Sequence, residues 1–264
     1  MLKIPLFQVD AFTKEKFKGN PAGVCITETA LTDSQMQNIA MEMNLSETAF
    51  LVPEADGYRL RWFTPEAEVK LCGHATLASA HVLFEKNYLN KNQTANFYTL
   101  SGLLTAKMND GLIELDFPAK LEEPVADFPE IEFIIKRKPV YIGKNEFDFL
   151  VEVENEEMVR QLEIDMQKLK SLPVRGLIVT ARSDKAGIDF VSRFFAPAVG
   201  VYEDPVTGSA HCCLAPYWMK KIGKSEFNAY QASKRGGFLK LRVEGNRVKI
   251  LGEAVTVFQT ELSL

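Results

Sequence analysis

Two stretches of this chain follow one plan. Residues 62–80, WFTPEAEVKLCGHATLASA, run Phe-x-Pro, a polar loop, a glycine and then a small, apolar, helix-forming segment; residues 195–214, FAPAVGVYEDPVTGSAHCCL, repeat that order. Gly73 and Gly208, which open the apolar segments, lie 135 positions apart, and Gly102 and Gly237 keep the same offset at the heads of SGLLTAKMNDGLIEL and GGFLKLRVEGNRVKI. One offset shared by two motifs marks an internal duplication. Segments 73–84 and 208–219 are apolar nearly all round, and a helix without a polar face is buried on every side. Strand-like runs flank each one. The fold class expected is therefore α+β, with two pseudo-symmetric domains, each a curled β-sheet or barrel around a central α-helix. The domains are expected at 1–118 and 119–264, with a strand over 254–262 able to pair back with the first.

Within that frame the local signals are specific. Residues 3–11 alternate as a strand, 19–23 (GNPAG) read as a turn, and 24–26 as a short buried strand. Thr32 and Gln35 fit a capping box ahead of Met36, Ile39, Ala40 and Met43, one helical face that should stop at Asn44. Strands are expected over 48–52 and 58–63. Asn109-Asp110-Gly111 and Glu244-Gly245-Asn246 each close a hairpin. Residues 119–139, with three prolines, acidic residues and Lys136-Arg137-Lys138, read as the crossover linker, the basic triplet being a solvated face. A helix over 165–172 and a strand over 176–180 follow.

Composition narrows the classes of function. A 264-residue chain that is 46% apolar and 25% charged is an ordinary globular protein. Its net charge of −4 argues against nucleic acid or an anionic membrane as partner. No apolar run reaches the roughly 18 residues of a membrane helix, and MLKIPLFQVD lacks the long apolar stretch of a signal peptide. Cys25, Cys72, Cys212 and Cys213 form no secreted-type framework. The expected setting is the cytoplasm.

Few residues stand out as chemistry. Glu47 lies between a helix end and an apolar strand, where a solvated carboxylate is the plain reading. Aligning TAFLV with GLIVT puts Arg175 in its place in the second half. The duplicated fold thus keeps one carboxylate at these strand mouths, enough for a single proton-transfer group. Partial burial beside Phe50 would favour its protonated form. His74 begins the first central helix, where exposed amides and the helix dipole favour an anion, and Lys70-Leu71-Cys72 offers no capping side chain. In the second half Thr207 or Ser209 could cap, with Asp204 close by. His211-Cys212-Cys213 cannot converge on one ion, because consecutive helical residues point about 100° apart; they read as core, His81 reads as structural, and no metal site is expected. Phosphate-loop, dinucleotide and serine-elbow motifs are lacking.

Four motifs in order, FKGNPAGV, NLSETAFL, RWFTPEAEVKLCGHATLASA and EDPVTGSAH, resemble those of the phenazine-biosynthesis PhzF-like isomerase family, over essentially the whole chain. That resemblance implies the diaminopimelate-epimerase-like fold with the active site between its two domains, a homodimer, and a cofactor-independent isomerase that moves a proton on a small carboxylic acid. In the founding member the substrate is a dihydro-hydroxyanthranilate. Glu47 matches the family's general acid/base; His74, Asp204 and Ser209 match its polar site residues; Gly73 and Gly208 match the helix starts that supply backbone donors, with Asn20 among the substrate-binding positions. Related epimerases and racemases use two opposed cysteines. Here the first position is Cys72 and the second Thr207, which cannot replace a thiolate as base. A racemase using Cys72 with another partner, and a non-catalytic carboxylate-binding protein, are the two alternatives.

Overall fold

A computed structural model describes residues 3–126 and 128–264; Met1 and Leu2 of the leader reading and Asp127 of the expected linker lie outside the described residues. The chain forms two compact units, Met1–Phe117 with Ile250–Leu264, and Pro118–Lys249. The first carries β1 (Lys3–Ala11), β2 (Asn20–Ile26), α1 (Asp33–Met43), β3 (Glu47–Glu54), β4 (Gly57–Phe63) and a short β5 (Glu68–Val69). Then come α2 (Gly73–Glu85), β6 (Ala95–Thr99), β7 (Gly102–Asn109) and β8 (Leu112–Pro118). The second unit carries β9 (Glu123–Pro124), α3 (Pro129–Ile135), β10 (Tyr141–Lys144), β11 (Asp148–Glu152), α4 (Glu156–Arg160) and α5 (Met166–Ser171). It continues through β12 (Gly176–Arg182), β13 (Phe190–Ala196), a 3-10 turn (Pro197–Val199), β14 (Val201–Asp204), α6 (Gly208–Ile222), β15 (Glu226–Gln231) and β16 (Gly237–Glu244). β17 (Arg247–Gly252) leads the chain back to the first unit, where β18 (Ala254–Ser263) ends it.

The duplication is visible in the ladders. In the first unit β1–β2 is antiparallel, β2–β3 parallel, β3–β4 antiparallel, β4–β6 parallel and β6–β7 antiparallel. In the second, β10–β11, β11–β12, β12–β13, β13–β15 and β15–β16 repeat that alternation. Each central helix leaves the same station, after a short strand folded back on β4 or β13. Helix α2 buries every residue from His74 to Ala80 and packs on β1, β2, β3 and β18. It tolerates buried hydroxyls because Thr76 and Ser79 donate to the Cys72 and Ala75 carbonyls one turn back, at 2.5 and 2.7 Å. Helix α6 contains Pro216, which cannot donate to the Cys212 carbonyl; the Lys120 amide does so instead, at 3.0 Å.

A second layer covers each sheet's other face. Met36, Ile39 and Ala40 of α1 pack with Ile4, Leu6, Cys25, Phe50 and Phe63. In the second unit Ile131, Ile134 and Ile135 of α3, with Val159 and Leu169, cover Phe149, Val151, Leu177, Val179 and Phe195.

Two expectations need correction. The GNPAG stretch is a turn only at Gly19 (φ 61°), since β2 begins at Asn20. Pro21 fits because it pairs with Asp10 of β1 but stands one residue outside the β2–β3 ladder, whose first pair is Ala22 with Glu47. The linker is structured: it holds β9 and α3, whose three isoleucines are buried in the second unit's core. The strand expected over 254–262 is β18, which pairs antiparallel with β1 from Ala254–Ala11 to Ser263–Lys3 and belongs to the first unit.

Candidate active site

In the first unit the site is built where β2 and β3 meet the start of α2. Cys25 and Phe50 face α1, so by strand alternation Ala22 and Glu47, three residues before each, face the central helix. Glu47 is the first residue of β3, 18% exposed at its side chain, and its Oε2 lies 3.3 Å from His74 Nε2. This contact has the distance of a hydrogen bond without its alignment. It is not an ion pair, because burial of the whole imidazole pulls the His74 pKa down to about 3, against the smaller upward effect of a hydrogen bond to the Pro21 backbone. The ring turns its Nε2 edge to Glu47 and also hydrogen-bonds the Pro21 backbone. On its Nδ1 edge the ring is 3.4 Å from Cys72 Sγ. Cys72 is the N-cap of α2 and makes no side-chain cap, so the helix start keeps backbone donors without a capping side chain. Asn20 is fully buried beside Pro21 at the head of β2.

In the second unit Thr207 is the N-cap of α6 and it, too, makes no side-chain cap. Its hydroxyl donates to Asp204 Oδ2 at 2.5 Å, while its amide donates to the buried Gln231 Oε1 at 2.8 Å. Capping by Thr207 is therefore corrected: the hydroxyl orients Asp204. Gly208 is the first helical residue and Ser209, half-exposed, the second; Ser209 Oγ accepts from Arg175 Nη2 at 3.1 Å. Arg175 also grips Asp148 of β11 with two nitrogens, Nε to Oδ1 at 2.9 Å and Nη2 to Oδ2 at 2.5 Å.

The alignment of Arg175 with Glu47 is one residue out. Phe63 pairs with Thr48 and lies in the outer cluster of its unit, while Phe195 pairs with Leu177 and lies in the corresponding cluster. A one-residue slip would turn every side chain to the wrong face. Glu47 thus corresponds to Gly176, and Ala22 to Asp148. The second unit does have a carboxylate at the helix mouth, Asp148, but Arg175 occupies both of its oxygens. In sequence Arg175 stands out only through its alignment with Glu47, and Asp148 not at all.

The other candidates are structural. His211 is fully buried, hydrogen-bonded to the Thr207 carbonyl at 2.8 Å, stacked on Phe190, and held near pKa 4 by burial. Cys212 and Cys213 are buried thiols pushed up to about 12 by burial. His81 meets Thr256 Oγ1 at 3.1 Å. Among the described residues one three-residue set could hold a metal ion: donor atoms of Glu47, Cys72 and His74 lie within 4.8 Å of one another. Cys72 and Glu47 face opposite nitrogens of the ring, so an ion on Nε2 would meet Glu47 and face away from Cys72.

The sequence matches the family profile of phenazine biosynthesis-like proteins over residues 9–260. The chain belongs to the PhzF family. An uncharacterized isomerase of Halalkalibacterium halodurans is 53% identical over the full length of both chains. The crystal structure of a PhzF-family protein from Enterococcus faecalis superposes with TM-score 0.96 at 45% identity, covering all of both chains. A probable proline racemase from Agrobacterium radiobacter matches at TM-score 0.66 and 13% identity, over 99% of this chain and 93% of that one, which shows a shared fold. The PhzF motifs thus sit at three structural stations: FKGNPAGV leads into β2, NLSETAFL into β3, and the GHAT and GSAH segments open the two central helices. No helix among the described residues is long and apolar enough to cross a membrane.

Proposed function

We propose that the protein is an isomerase that shifts a proton on a small unsaturated carboxylic acid without a cofactor. Glu47 is the acid/base, and the contact between its Oε2 and Nε2 of a neutral His74 carries the reading. The Glu47 carboxylate takes a proton from a carbon next to the unsaturated system, and the electron pair left behind delocalises towards the carboxylate. The same proton then returns from Glu47 to a different carbon, so the reaction is balanced without any other reactant. His74 turns its Nε2 edge to Glu47 and holds the carboxyl in position while it carries the proton. The amides at Gly73 hold developing negative charge. By likeness to the family, Asp204 and Ser209 join Glu47 and His74 in the catalytic set, and Asn20 and the Gly208 amide are assigned to substrate binding.

A second reading rests on Cys72, whose Sγ lies 3.4 Å from His74 Nδ1 and which could act as the base of an epimerase. Heavy-water incubation with candidate unsaturated acids separates the two. Glu47→Gln keeps the shape but cannot take a proton, so deuterium incorporation and turnover should fall together by ~10²–10⁴-fold, while Cys72→Ala keeps most of both. Wild-type turnover in Glu47→Gln would sink the proposal. Loss in Cys72→Ala as deep as in Glu47→Gln, with inversion at a stereocentre, would install the epimerase reading.

A further inference from the structure

The loop ahead of each central helix is tied to a neighbouring strand turn. In the first unit Ser101, between β6 and β7, donates from Oγ to the Lys70 carbonyl at 2.7 Å; in the second Ser233, between β15 and β16, donates to the Pro205 carbonyl at 2.8 Å. Lys70 and Pro205 are 135 positions apart and stand three residues before Gly73 and Gly208. The serines themselves are not equivalent, because two residues separate the paired Thr99 and Gly102 while five separate the paired Gln231 and Gly237. The same carbonyl is thus held from two different turns.

The second unit adds a stronger tie. Thr99, at the place of Gln231, donates within its own turn to the Gly102 carbonyl at 2.7 Å. Gln231, fully buried, reaches the loop instead: Oε1 accepts from the Thr207 amide at 2.8 Å, and Nε2 donates to the Asp204 carbonyl at 2.7 Å and to Thr207 Oγ1 at 3.2 Å. Only this orientation of the carboxamide fits, since the flipped one would set its NH2 against the Thr207 N–H. The Thr207 hydroxyl in turn donates to Asp204 Oδ2 at 2.5 Å. Both ends of the Asp204–Thr207 loop, and through Thr207 the carboxylate itself, are tied to one buried side chain. The clamp belongs to the unit whose loop carries an acid: Asp204 pairs with Phe194, whereas Val69 holds the corresponding place opposite Trp62. We propose that Gln231 is a positioning residue for Asp204, fixing the direction of that carboxylate at the start of α6 and acting on the proton shift only through it. This rests on the reading that Asp204 belongs to the catalytic set.

The test removes the clamp with Gln231→Met, which keeps the length of the side chain and loses its polar end, once circular dichroism and urea unfolding have shown the fold intact. Its crystal structure should show the Asp204 carboxylate displaced by more than the ~0.5 Å that a catalytic constellation tolerates, with α6 unmoved. In heavy water, with an unsaturated acid that wild type deuterates, exchange should fall about 10- to 100-fold, the scale of a misplacement of about 1 Å. In an Asp204→Asn background the same substitution should change exchange by less than about twofold, because the two residues act as one. A side chain that only supports the fold would lower exchange equally in both backgrounds. Should Gln231→Met fail to fold, Thr207→Val keeps the shape, cuts the hydroxyl link between carboxamide and carboxylate, and takes its place with the same expectations. An undisplaced Asp204, wild-type exchange in the folded variant, or equal loss in both backgrounds overturns this proposal alone; a wild type that deuterates no acid overturns it together with the isomerase reading. Glu47→Gln at full exchange sinks the isomerase reading and leaves the displacement of Asp204 standing, so the two fail separately.

Discussion

His74 and His211 are both neutral imidazoles, made so by the same cause and put to different ends. Burial holds the first near pKa 3 and the second near 4. One turns its Nε2 edge to Glu47; the other links the Thr207 carbonyl to the α6 core. Both have folded pKa values below the ordinary value near 6.5 of an unfolded histidine. Protonation therefore favours the unfolded chain: stability is full above about pH 6.5 and drains away as pH falls towards 4. Each histidine should cost about 2 kcal/mol between pH 7 and pH 5. Carboxylates whose pKa is lowered, such as Glu156, lose their contribution only below the ordinary value of 4.5 and do not blur that window. Burial lowers His81 as well, so urea unfolding at the two pH values should show the drop and His211→Asn should remove less than half of it. A flat profile from pH 7 to 5 would mean that these imidazoles are not held neutral by the fold.

At the scale of elements, local chemistry set boundaries where it is strong. Helix α1 starts at a complete capping box, with the Thr32 hydroxyl accepting from the Gln35 amide at 3.2 Å and Gln35 Oε1 accepting from the Thr32 amide at 2.9 Å; it stops at Asn44 in the left-handed conformation. The β7–β8 hairpin turns through Asp110 and Gly111, both at positive φ, as its Asn-Asp-Gly sequence requires. Helix α1 covers the face of the sheet away from Glu47, so it separates stability from function. Thr32→Ala should cost about 1 kcal/mol in chemical denaturation and leave exchange activity at the wild-type level. A large fall in activity at full stability would place α1 in the site. Short α3 went unread because its isoleucines at i, i+3 and i+4 span barely two turns among prolines, too brief a pattern to stand out.

At the scale of the whole molecule, the repeated ladder order shows two copies of one supersecondary unit, but their bounds are not two consecutive halves. The C-terminal strand β18 crosses back to pair along β1 and lies against α2. Removing residues 254–264 would strip β1 of a hydrogen-bonded neighbour and open the buried start of the first sheet. Hydrogen exchange on that truncated chain should show lost protection in β1, β2 and α2, with β11, β12 and α6 retaining theirs. Equal loss in both units, or none, would contradict the assignment of β18 to the first unit.

Periodicity and duplication were enough to determine the two central helices, their buried character, the capped helix and both hairpins, because each depends on residues close in sequence. Glu47 and His74 were legible as candidates for the same reason, one at a strand mouth and one at an uncapped helix start. Their contact was not, nor were the Asp148–Arg175–Ser209 chain or the tie of Thr207 to Asp204. Each of these joins residues through ladder register or packing, and register carries no local mark: a one-residue difference decided that Gly176, not Arg175, occupies the place of Glu47. A short-range pattern says which face a residue belongs to, while only the closed sheet says which distant residue shares that face.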